Sequence, residues 1–198
     1  MMTKPFAEAC ERNQQPILEV IQPLLENKNN LLEIGSGTGQ HAVFFAEKMP
    51  HITWQTADIL ENHQGIHLWL EDASLPNVLP PIELDAFTFD WHEKTYDAVF
   101  TANTAHIMPW SAVELMITGV GKTLKTGGLF IIYGPFNYNG QFTSESNARF
   151  EQWLKNADPE RGIRDFEAIE KLANVNGMQL LNDYEMPANN RILVWEKV

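Results

Sequence analysis

Glu33, Gly35, Ser36, Gly37 and Gly39 place a carboxylate beside three alternating glycines, within one short stretch that runs Leu31 to His41. Glycine lets the backbone take positive φ and lets a ligand approach without meeting a Cβ. Asp58 follows Gly39 at close to the ~20-residue offset at which an acidic side chain reaches ribose hydroxyls in nucleotide-binding α/β units. These residue types in this order suit a nucleoside cofactor. Gly37-Thr38-Gly39-Gln40-His41-Ala42 formally matches the dinucleotide pattern G-x-G-x-x-A, and no lysine follows to make a phosphate loop. A dinucleotide would bring its pyrophosphate to this turn, where Glu33 would repel it. S-adenosylmethionine brings a sulfonium and an ammonium instead, which a carboxylate attracts. The turn is therefore read as a site for S-adenosylmethionine. The plainer alternative is a glycine turn that only packs a strand on a helix.

Further candidates lie downstream. Asp90 could accept from the adenine amino group and Trp91 could pack near the ring, both read as ending a third strand; a turn aspartate beside a core tryptophan is the other reading. Ala102 and Asn103, with Thr101, end a fourth strand and would line the cofactor's methionine end, unless Asn103 or Thr104 caps a helix. Methyl transfer is an in-line displacement that rests mainly on alignment, with a general base needed only for a protonated acceptor. His106 has the right ordinary pKa for that base, or is a hydrogen-bonded structural histidine. Tyr133 is the other weak catalytic candidate. Tyr133, Phe136 and Tyr138 could form an aromatic wall for a flat or cationic acceptor, or Phe136 could be core. Arg164 could hold an acidic acceptor or pair with a structural carboxylate. Asn189, with Asn190, could offer amide contacts or simply turn a hairpin. Arg12 and Asn13 could fold over the cofactor or lie on an exposed helix. His41, His51, His63, His67 and His92 show no metal-binding motif, although His63 and His67 are spaced for one helix face; no metal is expected.

The elements that must position these residues follow from hydrophobic periodicity. Residues 6–26 read as helical, broken by Pro16 and Pro23 into what could be two short helices. Residues 31–34 read as a strand, 38–49 as a helix stopped by Pro50, and 52–57 as a strand ending at Asp58. A helix is expected over 61–73, strands over 82–89 and 96–102, and a strongly apolar helix over 110–124. The Lys125–Gly128 turn leads into a central strand over 129–133. A helix over 165–176 ends at Gly177, and two strands, 178–185 and 191–195, close the chain as an antiparallel pair. Strands alternating with helices predict an α/β fold: a Rossmann-like seven-stranded methyltransferase sheet, mostly parallel, with a C-terminal antiparallel hairpin and helices on both faces. Residues 1–198 are read as one domain, with an N-terminal helical segment over 1–28 and an irregular insertion over 135–161 near the acceptor site.

Composition narrows the partners. The chain has 198 residues, 14 Lys and Arg against 26 Asp and Glu, and a formal net charge of −12. With no basic run, nucleic acid is not an expected partner. No apolar run approaches the ~20 residues of a membrane span, residues 1–10 hold no apolar leader core, and Cys10 stands alone, so a cytoplasmic protein is expected.

The segment from Glu33 to Ala42 resembles motif I of class I S-adenosylmethionine-dependent methyltransferases. Arg12-Asn13 before Pro16-Ile17-Leu18, Ala102-Asn103 with His106-Ile107 and Pro109-Trp110, and Tyr133-Gly134-Pro135-Phe136 extend the likeness. So do Ser144 with Ser146-Asn147, Asp158-Pro159, Gly162-Ile163-Arg164-Asp165 and Glu185-Met186-Pro187-Ala188-Asn189-Asn190. Together they resemble domain-of-unknown-function family 938, which includes the methyltransferase-like protein 26 group; Glu160 stands where that pattern leads one to expect an aromatic residue. The resemblance implies the fold and S-adenosylmethionine as cofactor, and names no acceptor. The reading is a methyltransferase acting on a small-molecule acceptor. The alternatives are a non-catalytic module binding S-adenosylmethionine or S-adenosylhomocysteine and, less well matched, an NAD-dependent oxidoreductase.

Overall fold

A computed structural model describes residues 3–91 and 94–198, so His92 lies outside the described residues. Seven strands form one sheet in the order β3-β2-β1-β4-β5-β9-β8. They are β1 (Asn30–Ile34), β2 (Thr53–Asp58), β3 (Val78–Glu83), β4 (Tyr96–Ala102), β5 (Leu124–Gly134), β8 (Met178–Met186) and β9 (Asn190–Lys197). The first five pair in parallel, and β9 runs antiparallel between β5 and β8. Two-residue strands β6 (Phe136–Asn137) and β7 (Arg164–Asp165) pair separately. The helices are α1 (Glu8–Leu24), α2 (Gln40–Lys48), α3 (Leu60–Ala73), α4 (Trp110–Thr123), α5 (Glu145–Ala157) and α6 (Phe166–Val175). This is the expected α/β sheet with its closing hairpin.

Each face of the sheet carries its own apolar layer. Ile17, Ile21 and Leu25 at the end of the first helical segment join Phe45 of α2 against Trp54, Phe100 and Ile131. On the other face Val113, Met116 and Ile117 of α4 and Ile169 of α6 pack on Leu32, Val99, Phe130 and Trp195. The chain order reverses between β1 and β4, neighbours joined at their ends by a hydrogen bond from Thr101 Oγ1 to the Ile34 carbonyl at 2.8 Å. Open α/β sheets bind ligands in the crevice beyond the carboxyl ends of such a pair.

Three expectations are corrected. α1 is one helix that runs through Pro16, because Ile17, Leu18 and Ile21 are buried on the sheet and that packing offsets the ~3 kcal/mol cost of an interior proline. The third strand is Val78–Glu83 and holds Pro80 and Pro81, which fit because the strand lies at the sheet edge and its register with β2 shifts between Leu79 and Ile82, where a proline on the inner side costs no ladder bond. Residues 85–89 then form a turn on Asp85, whose carbonyl accepts from Thr88 N at 3.1 Å and Phe89 N at 2.9 Å, so Asp90 and Trp91 end no strand. Segment 135–161 is not irregular, since it contains β6 and the 13 residues of α5, capped by Ser144 Oγ accepting from Asn147 N.

Candidate functional site

The glycine turn lies across the carboxyl ends of β1 and β2. Gly35, Gly37 and Gly39 have φ of +71°, +58° and +90°, values that L-residues with a Cβ rarely adopt. A Cβ on Gly35 would come within 2.6 Å of Thr104 Oγ1, too close to fit without a shift, and one on Gly39 within 3.2 Å of Ile66 Cα, a tight contact that adds to the strain of its positive φ. At Gly37 no atom lies within 4 Å of that position, so this glycine faces open space.

Two carboxylates hold the turn. Glu33 is 2% exposed; its Oε2 accepts from Ser36 Oγ and from Trp54 Nε1, each at 3.0 Å. Burial pushes its pKa up to about 7, against the pull of those two donors, and nearby Asp58 adds to the rise. Asp58 Oδ2 accepts from Gly37 N at 2.6 Å, while Oδ1 accepts from Ile59 N and Asn62 Nδ2, both at 2.8 Å. Ser36 Oγ also accepts from Ala57 N at 3.1 Å, tying the turn to β2. Among the described residues neither carboxylate forms an ion pair.

The N-terminal segment straps over the same turn. Gln40 Oε1 accepts from Ala7 N at 2.6 Å, and Trp69 Nε1 donates to the Pro5 carbonyl at 2.6 Å. Cys10 is bonded to Thr38, and burial, then the charge of Glu33, push its thiol up to about 11. Asn13 Oδ1 lies 2.7 Å from His41 Nε2, and the Asn13 side chain also bonds the Tyr133 hydroxyl. Asn13 thus ties α1 to α2 and to β5. Arg12 pairs with Glu8 at 3.1 Å, and both side chains stand in solvent.

Beyond β4, Asn103 has a φ of +59° and donates its amide to the Tyr133 carbonyl at 2.9 Å. A non-glycine residue held in this region costs about 1 kcal/mol or more and marks a place whose surroundings enforce it. No side-chain cap from Asn103 or Thr104 starts α4, whose N-cap is Pro109. His106 is buried with its ring edge-on to Phe150 at 5.3 Å, and a Cβ on Gly134 would lie 3.7 Å from its Nδ1. Burial, with the charges of Arg164 and Arg161, lowers its pKa to about 4, so it is neutral at pH 7.

The expected aromatic wall does not form. Tyr133 joins the apolar layer of α1 and α2, while Phe136 is fully buried in the opposite layer. Tyr138 stacks on Phe166 at 5.2 Å and donates to Asp183 Oδ2 at 2.7 Å. Tyr133 thus lies in one apolar layer while Phe136 and Tyr138 both pack in the other, so the three rings share no common face. Arg164 forms no ion pair among the described residues: Nε donates to the Ala105 carbonyl at 3.0 Å, and Nη2 to the carbonyls of Met108 and Glu160. Asn189 sits in the hairpin connection with φ of +58°; its Nδ2 donates to Ser146 Oγ at 3.3 Å and its carbonyl accepts from Asn147. Trp91 lies against Gly119 of α4, with Phe89 edge-on at 5.0 Å.

Sequence reasoning missed Trp54, Asn62, Cys10 and Asp85. Trp54 carried a signal, since a buried indole N–H needs an acceptor. Asp85 lies just past β3, beside Asp58, whose carbonyl accepts from Leu84 N at 2.9 Å.

The family model described as "Protein of unknown function (DUF938)" matches residues 4–197. The chain belongs to this family. Its fold is shared with solved methyltransferases. An O-methyltransferase family protein from Burkholderia thailandensis superposes with a TM-score of 0.85 at 14% identity, over 96% of this chain and 57% of that one. Human N-acetylserotonin methyltransferase, solved in complex with SAM, gives 0.76 at 15% identity, over 96% and 53%. An O-methyltransferase family 2 protein from Planctomyces limnophilus, in complex with apigenin, gives 0.75 at 13% identity, over 93% and 62%. The chain therefore spans little more than half the length of these proteins. Among the described residues no helix is long and apolar enough to cross a membrane.

Proposed function

We propose that this protein is an S-adenosylmethionine-dependent methyltransferase acting on a small-molecule acceptor. The observation that carries the reading is the pair of buried carboxylates, Glu33 and Asp58, flanking a glycine turn with no ion-pair partner among the described residues. A pyrophosphate at this turn would meet two acids. A sulfonium and an ammonium would supply the missing positive charge, with the cofactor lying over Gly37, its ribose toward Asp58 and its methionine end toward Ala102 and Asn103. Asp85 takes over the place at the end of β3 that the sequence had suggested for Asp90, and so becomes the candidate for the adenine amino group. The N-acetylserotonin and apigenin named with two of the similar structures support a small acceptor, and the family resemblance supports a place beside the methyltransferase-like protein 26 group.

Transfer to such an acceptor rests on alignment. His106 is the imidazole nearest the end of β5; being neutral at pH 7 it can accept a proton, but its depressed pKa makes it a weak base. The consumption of Arg164, Asn189 and Phe136 by internal contacts favours a second reading, a cofactor-binding module without turnover. Titration calorimetry with S-adenosylmethionine, S-adenosylhomocysteine and NAD tests the first point. Binding of the first two and not NAD is expected; no binding of either at millimolar concentration overturns the reading. Methyl release across a panel of phenols, amines and thiols separates enzyme from module.

A further inference from the structure

We propose that Tyr133 and Asn13 form the subsite for the carboxylate of the cofactor's amino-acid end, with Asn13 orienting the Tyr133 hydroxyl as its donor. This rests on the cofactor reading above and goes beyond it.

Charge poses the problem. The amino-acid end of S-adenosylmethionine carries an ammonium and a carboxylate. Glu33 answers the ammonium, but the same acid repels the carboxylate, which needs donors of its own. The two arginines that the sequence suggested for ligand contacts are not available. Arg12 is turned to solvent beside Glu8, and Arg164 is held with Nε and Nη2 on the carbonyls of Ala105, Met108 and Glu160. A neutral donor must serve.

Position selects Tyr133. Its register partner on β4 is Ala102, and its carbonyl receives the amide of Asn103, so it stands where β4 and β5 end. On α1, Cys10 and Asn13 are spaced to share one helix face. Cys10 touches Thr38 and feels Glu33, while Asn13 touches His41 and Tyr133. One face of α1 therefore runs from the glycine turn to the Tyr133 hydroxyl.

Hydrogen-bond accounting gives the direction. A carboxamide has one oxygen to accept and an NH2 to donate. The Asn13 oxygen faces His41 Nε2 at 2.7 Å, so that nitrogen carries the hydrogen and donates. Burial lowers the His41 pKa to about 4, so the ring is neutral and this tautomer suffices. The Asn13 NH2 is left to donate to the Tyr133 oxygen, and the phenolic hydrogen is left for a ligand. Burial raises the Tyr133 pKa, with the Asn13 bond pulling the other way, so the phenol keeps that hydrogen at neutral pH.

The test compares S-adenosylhomocysteine with its decarboxylated analogue, which keeps the adenine, ribose, sulfur and ammonium, by calorimetry on the full chain. In wild type the analogue is expected to bind about tenfold more weakly, the worth of one hydrogen bond to a charged group. Tyr133→Phe removes one oxygen and is expected to reduce S-adenosylhomocysteine to the analogue's wild-type affinity while leaving the analogue unchanged. Asn13→Asp, which would accept the phenolic hydrogen itself, is expected to do the same, and the double variant to be no worse than either. Equal affinity of the two ligands in wild type overturns the proposal. So does a parallel loss of both in Tyr133→Phe, the mark of a merely structural role. If neither ligand binds wild type, the cofactor reading has failed and the subsite falls with it.

Discussion

The β1–β2 side of the crevice and the β4–β5 side are built on different plans. On the first, Glu33, Ser36, Gly37 and Asp58 bond to one another and to their own loop, and the turn still presents an open flank at Gly37. On the second, Arg164, Asn189, Phe136 and His106 come from distant segments and spend their donors and surfaces holding those segments together. Polar residues in a short loop can be preorganised by that loop's backbone and remain turned to a ligand. Polar residues that bridge remote segments satisfy buried backbone groups first, because an orphaned carbonyl or amide costs about 1–3 kcal/mol.

That contrast can be broken most sharply at Phe136. Phe136→Ala should lower unfolding free energy by about 3–5 kcal/mol and leave S-adenosylhomocysteine affinity unchanged in the fraction still folded. A selective loss of affinity in urea-unfolding and calorimetric measurements would place Phe136 in the site after all. Glu33 offers the next largest effect, through pH. Its folded pKa of about 7 lies above the ordinary 4.5. Its protonated form therefore stabilises the fold fully below the unfolded value, and this contribution fades as pH rises through about 7. Wild type should lose about 2–3 kcal/mol relative to Glu33→Gln across that window, and saturating S-adenosylmethionine should restore much of it. A parallel pair of stability curves would remove Glu33 as the cation's partner.

Asp58→Asn should weaken S-adenosylhomocysteine about tenfold, with a smaller loss of thermal stability as the bond to Gly37 N weakens. Unchanged affinity would take Asp58 out of the site. Arg12→Ala is expected to do least, moving stability by no more than about 0.5 kcal/mol and affinity not at all; a measurable loss of binding would show that Arg12 folds inward when the cofactor arrives.

Much of the first side was legible in the sequence because its chemistry is local. The acid, the three glycines and Asp58 sit at spacings that backbone geometry imposes, and β1, α2 and β2 appear within a residue or two of where periodicity puts them. β3 was displaced because Pro80 and Pro81 argue against a strand unless it is known to lie at a sheet edge, and edge position is a property of the assembled sheet. That slip carried Asp90 and Trp91 to a strand end they do not occupy, and left Asp85 unseen.

By itself the sequence determined the alternation of strands and helices, the closing hairpin and the acid-flanked glycine turn, because each depends on hydrophobic period or on φ values that few residues accept. Tertiary structure alone decided which long-range polar groups stay turned to a ligand. In sequence Arg164 could hold an acceptor or pair with a carboxylate, and Asn13 could fold over a cofactor or lie on an exposed helix; only the fold brings three carbonyls around Arg164 and lays α1 across His41 and Tyr133. The reason is that a side chain's donors go first to whatever buried group the fold brings within reach, and that neighbour is set by packing between segments rather than by spacing along the chain.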